Sequence, residues 1–485
     1  MKKYYIKTFG CEMNKADSEK VNMILLQSGL MKTNDWIDAD LVIYNTCSVR
    51  QKWEDRVFGM SEEIRKENER RKEAWNTRFI YTGITGCMVR KSWVNSKYLA
   101  EENIRKKAKV IEYIESKEWI FNNDDKLFPR LPPLDFTFRI EEVKYLPFIL
   151  THITWKRIWS DDKFDDYLKA KQLRENNKSA SVIIQTGCDN YCTFCIVPYT
   201  RWKEISRPHD EIIAEAKELV ANGTTEISLV GQNVNSYWKQ RNIKLWNEEK
   251  STWNEWIGKS PFGELLSDLN DIEWLDRIRF TSSNPHDMTQ DILDAHFVLD
   301  STCNYLHFAL QSGDDKMLKK MNRRHSYKDF KDMVDYLRSK DPLFSISTDI
   351  IVWYSWETEE MFQNTIKAFK ECDFDFSFTA RYSVRQGTIA SKLFPDDVPD
   401  TLKAERWHIL NDILLESLLK RNKLMLGRTE EIMISGNKDG YSFWRTRNFK
   451  EVYIKDELIN HKPGDLVMVK ITELDRYVLK WELEK

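Results

Sequence analysis

A chain of 485 residues, 41% hydrophobic and 31% charged, has room for two to four domains with cores of their own, and its formal net charge of −2 supplies no whole-chain attraction to nucleic acid. Eight cysteines are too few for a disulfide framework at this length, and the longest apolar runs, such as Phe148 to Leu150 with its neighbours, fall far short of the roughly 20 residues that cross a bilayer. The opening Met1-Lys2-Lys3-Tyr4-Tyr5-Ile6-Lys7-Thr8 is too polar for a secretion signal, so the reading is a cytoplasmic protein without membrane contact, in a reducing compartment that suits free thiolates.

Residues 1–122 read as a small α/β domain. Strand signals at Tyr4 to Thr8, Leu41 to Asn45 and Phe79 to Gly83 alternate with helical stretches such as Ala16 to Ser28. A cysteine follows each strand: Cys11, Cys47 and Cys87 stand just past the predicted C-terminal ends, where parallel sheets build their sites. Spacings of 36 and 40 residues match no local metal motif, so three unrelated buried cysteines and a metal cluster both stay open at this point. Residues 123–173, charged and carrying Pro129, Pro132, Pro133 and Pro147, read as a linker wrapped over a surface.

From 174 to 418 the chain repeats strand and helix. Strands are expected at Ala180 to Gln185, Glu226 to Val230, Arg277 to Thr281, Tyr305 to Ala309 and Ser345 to Val352, and helices at Asp210 to Asn222, Phe262 to Leu269 and Tyr327 to Ser339. Such alternation favours a partial TIM-like (β/α) barrel with its chemistry in the loops at the strand C-termini. The first of these loops is Gly187-Cys188-Asp189-Asn190-Tyr191-Cys192-Thr193-Phe194-Cys195. Thiolates in this CxxxCxxC pattern can ligate three irons of a cubane and leave the fourth iron open to another molecule. A structural zinc wants four closed ligands, and the nearest histidine, His209, lies fourteen residues beyond Cys195. Cys303 and Cys372 stand alone and read as buried apolar residues.

Residues 421–485 change to short β-rich runs, Glu430 to Ser435, Lys450 to Ile454, Asp465 to Ile471 and Tyr477 to Glu482, joined by Gly436, Gly440 and Pro463-Gly464. This is the pattern of a small antiparallel β-barrel. Arg445, Arg447 and Lys450, near Tyr441 and Phe443 in a decade without acids, offer phosphate contact with base stacking; a solvated barrel face is the plainer alternative.

The cysteine loops, the continuation Ile196-Val197-Pro198-Tyr199-Thr200-Arg201, Ser206-Arg207-Pro208, Leu229-Val230-Gly231-Gln232-Asn233-Val234-Asn235-Ser236-Tyr237, Arg279-Phe280-Thr281-Ser282-Ser283 and Leu310-Gln311-Ser312-Gly313 together resemble the radical S-adenosylmethionine methylthiotransferases over nearly the whole chain. The run from Gly231 to Tyr237 and the run from Tyr191 to Thr200 are closer to the branch acting on tRNA isopentenyladenosine than to the ribosomal-protein or threonylcarbamoyl-adenosine branches. The resemblance implies a methylthiotransferase N-terminal domain, a radical-SAM core and a C-terminal RNA-binding TRAM barrel. It implies two [4Fe-4S] clusters, a SAM-binding one on Cys188, Cys192 and Cys195 and an auxiliary one on Cys11, Cys47 and Cys87. Bound S-adenosylmethionine would be cleaved to a 5′-deoxyadenosyl radical, and a methylthio group would enter at C2 of N6-isopentenyladenosine beside the anticodon. C2 bears a hydrogen with no useful acidity, which a carbon radical can remove and a base cannot.

The implied partners are tRNA, a sulfur source and an electron donor such as flavodoxin or ferredoxin, acting on a monomer. Gln232, Asn233, Gln311, Ser312 and Asp349 lie on or at the ends of core strands and are candidates for lining the cofactor pocket, with strand-end capping as the plainer role; no catalytic side chain is assigned. A sibling substrate, or a cluster-bearing RNA-binding protein without SAM cleavage, remains as an alternative.

The departures from the family concern glycine. Where the family reads Val-Gly-Phe-Pro-Gly-Glu, this chain reads Val352-Trp353-Tyr354-Ser355-Trp356-Glu357, and the same exchange stands at Trp202, Trp444 and Trp481. An indole forbids the positive φ that glycine permits and would crowd a cofactor pocket. Two readings follow: Trp353 and Trp356 turn outward or line an altered cleft, or UGA codons that mean glycine in this lineage have been read as tryptophan.

Overall fold

The computed structural model describes residues 1–48, 51–75, 78–89, 127, 131, 134–154, 158, 167–169, 172–174, 178–201, 203–238, 260–396, 398–438, 441–455, 464–475 and 478–483. The chain divides into two compact units, one of Met1–Arg174, Thr186–Asp189 and Cys195–Glu204, the other of Glu175–Gln185, Asn190–Phe194 and Ile205–Lys485. No helix among the described residues is long and apolar enough to cross a membrane.

The first unit holds a parallel sheet in the order β2-β1-β3-β4-β5, formed by Lys3–Phe9 (β1), Met31–Lys32 (β2), Leu41–Thr46 (β3), Tyr81–Gly86 (β4) and Phe136–Thr137 (β5). The central strand β3, Leu-Val-Ile-Tyr-Asn-Thr, is buried along its whole length, as a parallel strand covered on both faces requires. β4 runs two to three residues later than Phe79 to Gly83. Its small residues make it a poor strand by propensity, but Gly83 lets the Phe136 ring lie against the backbone, where a Cβ would come within 2.3 Å of Cζ. The proline-bearing segment thus contributes β5, followed by the helix Leu146–Thr154 with buried Ile149 and Leu150. The helix Glu12–Gln27 starts four residues before the predicted Ala16 because Cys11 serves as its N-cap.

In the second unit six strands follow one another in space as in sequence. Ser179–Ile183 (β6), Glu226–Val230 (β9) and Arg277–Phe280 (β10) form one parallel sheet, and Tyr305–His307 (β11), Ser345–Val352 (β12) and Phe376–Arg381 (β13) another. Parallel bridges Ile278 to Thr302 and Ser283 to Phe308 connect β10 to the β11 segment. Two-strand pieces Gln185–Thr186 (β7) and Ile205–Ser206 (β8) precede β9 in the chain. Along β12, Ile346, Ile350 and Val352 enter the apolar core with Leu306, Phe308, Phe330 and Phe369, while Ser347, Asp349 and Ile351 point to the other face. β13, and the helices Glu359–Cys372 and Asp400–Lys423 on either side of it in the chain, lie beyond the predicted alternation.

The C-terminal strands Thr429–Lys438 (β14), Tyr441–Thr446 (β15), Glu451–Lys455 (β16), Leu466–Asp475 (β17) and Val478–Leu483 (β18) close into a barrel in the order β14-β15-β16-β18-β17. The pairs are antiparallel except β16 with β18, which runs parallel. Ile432, Ile434, Val452, Val469, Ile471 and Leu479 fill it.

Of the basic residues in the decade 441–450, Arg447 and Lys450 are engaged within the protein and not free for phosphate. Lys450 is buried with its Nζ 2.5 Å from Asp375 Oδ1, and Arg447 donates to the Asp276 carbonyl at 2.9 Å. Fully buried Arg277 donates to the carbonyls of Arg445 (3.0 Å) and Glu431 (3.1 Å), and Arg279 to those of Arg447 (2.8 Å) and Thr446 (2.9 Å). Phe449 stacks on Tyr305 with ring centroids 4.4 Å apart, and the Arg445 guanidinium lies over the Phe449 ring. The turn 446–450 therefore docks the barrel against the N-terminal edge of β10 and β11. The side chains of Tyr441 and Phe443 lie outside the described residues.

Candidate functional site

Register alone gathers the first set of cysteines. Phe9 pairs with Thr46 and Thr46 with Gly86, so β1, β3 and β4 end level. The Cys47 N–H donates to the Phe9 carbonyl and the Cys87 N–H to the Thr46 carbonyl, each at 2.7 Å. Gly86, at φ 90°, makes that ending possible, since a Cβ there would fall 2.3 Å from the Thr46 oxygen. Asn14 ties the corner together. Buried, it accepts from the Cys11 thiol at 3.3 Å and donates to Asn45 Oδ1 at 2.9 Å and the Thr46 carbonyl at 3.2 Å; Asn45 answers on the Asn14 carbonyl at 2.7 Å.

A hydrogen bond from Cys47 holds the Cys11 thiol down to about 6, whereas burial pushes Cys87 up, against the pull of Arg201. Arg201 is 3% exposed and pairs through Nη2 with fully buried Asp17, whose other oxygen accepts from the Tyr167 hydroxyl. Its guanidinium reaches Cys87, while Nη1 has no oxygen or nitrogen partner.

No three His, Cys, Asp or Glu side chains among the described residues converge as the ligands of a single metal ion do. A cubane places each thiolate on a different iron, so convergence is not required. Three cysteine thiols on adjacent strand ends, none in a disulfide, one acidified and one beside a guanidinium, fit that donor set.

In the second set, Cys188, Cys192 and Cys195 form no disulfide and are all half-exposed. Cys188 follows Gly187, which takes φ 82°. The segment 190–194 is fixed by its backbone: Asn322 Nδ2 donates to the carbonyls of Asn190 and Tyr191 at 3.1 Å, Thr193 N–H to the Met321 carbonyl at 3.1 Å, and Thr193 Oγ1 lies 2.7 Å from the Tyr354 hydroxyl. Arg323 Nη1 lies 3.5 Å from Cys192 Sγ and Nη2 holds the Ala309 carbonyl at 2.6 Å. A held loop with accessible thiols suits open-cluster ligation, and nothing in sequence spacing pointed to Arg323.

The five polar candidates separate. Asp349 faces away from the helix-side core and accepts from His307 Nε2 at 3.0 Å; His307 Nδ1 meets Ser347 Oγ at 2.9 Å, which also meets the Tyr305 hydroxyl at 2.8 Å. His307, Ser347 and Tyr305 carried no sequence motif; alternation along β11 and β12 was the signal that could have found them. Gln311 takes φ 76° and bridges the Asp349 carbonyl and the Ile351 N–H. Asn233 donates to Asp287 at 2.7 Å and its buried Oδ1 has no partner, so it keeps an acceptor in reserve. Gln232, next to it in the chain, is half-buried. Ser312 is fully buried, 3.4 Å from Thr365 Oγ1 and accepting the Asp314 N–H, which fits a brace for the 311–314 turn.

Of the tryptophans at the glycine positions, Trp353 and Trp356 hold their rings toward the surface, on backbone in the left-handed region. Trp353 donates from Nε1 to the Leu402 carbonyl at 2.8 Å with the Arg406 guanidinium 3.5 Å over its ring, and Trp356 is 54% exposed, edge-on to Phe394 with Lys320 over its face. Both take positive φ, 55° and 63°. Trp202 and the side chains of Trp444 and Trp481 lie outside the described residues.

Two family models match the chain: the radical SAM superfamily at residues 182–369 and the uncharacterized protein family UPF0004 at residues 3–110. A tRNA-2-methylthio-N(6)-dimethylallyladenosine synthase from Clostridium botulinum strain Hall is 34% identical, across 99% of this chain and 96% of that protein. One of the same name from Caldicellulosiruptor saccharolyticus is 35% identical, across 99% and 92%. Among solved structures, a radical S-adenosylmethionine methyltransferase, TsrM from Kitasatospora setae, superimposes with TM-score 0.46 at 13% identity, covering 81% of this chain and 77% of that one.

Proposed function

Since this chain belongs to the tRNA-2-methylthio-N6-dimethylallyladenosine synthases, a family of radical-SAM tRNA methylthiotransferases, we propose that it inserts a methylthio group at C2 of N6-isopentenyladenosine beside the tRNA anticodon. The observation that carries this reading is the pair of cysteine triads outside disulfides, one in a backbone-fixed loop and one on level strand ends, within a chain related to these enzymes along 99% of its length.

Cys188, Cys192 and Cys195 would hold the SAM-binding [4Fe-4S] cluster, and Cys11, Cys47 and Cys87 the auxiliary one. Bound together with S-adenosylmethionine, these groups supply the one-electron chemistry that removes an unactivated hydrogen and delivers sulfur. The protein's own side chains bind and orient. Asn14 and Asn45 set the direction of Cys11. Arg323 places a positive charge on Cys192. Asp349, oriented by His307, Ser347 and Tyr305 and tied through its carbonyl to Gln311, would present an acceptor to the polar edge of a cofactor or adenine, and Asn233 Oδ1 would offer a second acceptor.

The domain plan that goes with this reading is a methylthiotransferase domain over 1–122 completed by β5 and the helix Leu146–Thr154 from the segment 123–173, a partial-barrel radical-SAM core over 174–418 and a TRAM barrel over 421–485. That barrel would hold tRNA by a face other than 446–450. A flavodoxin or ferredoxin, a sulfur source and a monomeric cytoplasmic enzyme complete it.

The test is nucleoside analysis of tRNA from cells with and without the gene. Loss of 2-methylthio-N6-isopentenyladenosine with accumulation of its precursor is expected. A change confined to threonylcarbamoyl-adenosine derivatives would move the assignment to the sibling branch.

A further inference from the structure

Arg201 is a buried charge beside a cysteine with one donor left unpartnered. The fork is 3% exposed; Nη2 is fixed on Asp17, the guanidinium reaches Cys87 and Nη1 has no oxygen or nitrogen partner. The surroundings explain the fixing, and both carboxylate oxygens of the neighbouring Glu141 also lack hydrogen-bond partners. Asp17 is oriented by Tyr167, whose carbonyl takes the Lys20 ammonium at 2.8 Å. Arg139 is buried too and donates to the Thr200 carbonyl, next in chain to Arg201, while Glu141 lies beside both arginines. A buried guanidinium with an unused donor is costly unless something accepts from it.

We infer that Arg201 is a positioning residue for an anionic sulfur ligand, of the hydrosulfide or thiolate class, at the site of Cys11, Cys47 and Cys87, with its free Nη1 as the donor. Asp17 holds the fork at a fixed angle, so the donor is set in place before the ligand arrives, and a charge-assisted bond of this kind is worth more in a dry site than in water. The inference rests on the two-cluster reading above. Its test uses the full-length reconstituted protein, with sodium sulfide as the probe and the electron paramagnetic resonance of the auxiliary cluster as the signal. In Arg201→Gln the sulfide affinity is expected to fall about tenfold or more, as loss of one charged hydrogen bond dictates, and the cluster potential to become more negative with the loss of a nearby positive charge. Arg201→Lys should keep the potential and lose about threefold or more in affinity, because the ammonium lacks the fork. Sulfide binding unchanged in either variant overturns the inference. A wild-type chain that takes up iron for one cluster only would overturn the two-cluster reading with it.

A second observation stands apart from that site. Among the described residues, Trp75, Trp238, Trp274, Trp353 and Trp356 take φ of 54°, 46°, 70°, 55° and 63°. Bulky aromatics rarely adopt this region, and glycine adopts it freely. Trp75 is 94% exposed, and its N–H closes on the Lys72 carbonyl just past the helix Gln51–Glu73, where a C-terminal glycine is usual; Trp274 is 80% exposed. The chain also has 18 tryptophans against 16 glycines, under half the glycine that average usage of about 7% gives. The backbone assigns these five positions to glycine in the protein the cell makes, through UGA codons that specify glycine there. Trp407, which lies within the helix Asp400–Lys423 on ordinary helical backbone and packs on the core, is the contrasting case and is expected to be UGG. Peptide masses of the protein isolated from its own cells, read with the gene's codons, decide it. Glycine masses and UGA at the five positions are the expected result; tryptophan masses or UGG there overturn it.

Discussion

The two sets of cysteines are built in opposite ways. Cys188, Cys192 and Cys195 are eight residues of one loop, and their spacing exists before any folding. Cys11, Cys47 and Cys87 come together only because β1, β3 and β4 end level, and an asparagine pair and a buried arginine complete the corner. A local site survives poor packing around it; a site assembled from strand ends inherits every fault in its sheet.

That contrast can be broken most directly by exchanging the losses. Cys192→Ala should abolish 5′-deoxyadenosine formation, whereas Cys47→Ala should leave it intact and eliminate the methylthio product. Equal loss of cleavage in both variants would erase the distinction between the sites. Next in size, Asn45→Ala removes both of its hydrogen bonds to Asn14 and leaves buried polar groups unpaired, a cost of about 1–3 kcal/mol. Denaturant unfolding should register it, and iron bound by the strand-end cysteines should fall while that of the loop does not; proportional loss from both would count against an independently assembled corner. Smallest is Arg323→Gln, which removes one charged contact to Cys192 of roughly 1 kcal/mol. Cleavage should slow about fivefold at unchanged iron content, measured in single-turnover assays, and a change in iron content would reassign Arg323 to holding the loop together.

The same contrast explains what was legible beforehand. Glu226–Val230 and Ser345–Val352 were expected where they occur, since their β-branched runs are bounded by turn residues. Phe376–Arg381 was not, because an exposed Phe-Ser-Phe-Thr edge carries little signal without the strand beside it. The position of the three N-terminal cysteines past strand ends was readable; that the strands end level was not, because register is a tertiary property. Arg201 and Asp17 are 184 residues apart in sequence, and no spacing rule links them. The basic decade 441–450 was misread because charge in a sequence does not reveal whether it faces solvent or a carbonyl.

The docking turn 446–450 has one more consequence. Asp375 lies buried among Arg338, Arg421 and Lys450, and only Lys450 comes from the barrel. A protein cut after residue 421 would thus lose more than the barrel itself: it would uncork one rim of the core, baring the stacked Tyr305 ring and stripping Arg277 and Arg279 of the carbonyls they hold. The barrel behaves as a stopper, and any loss of function on its removal would be confounded with loosening of the sheet it covers.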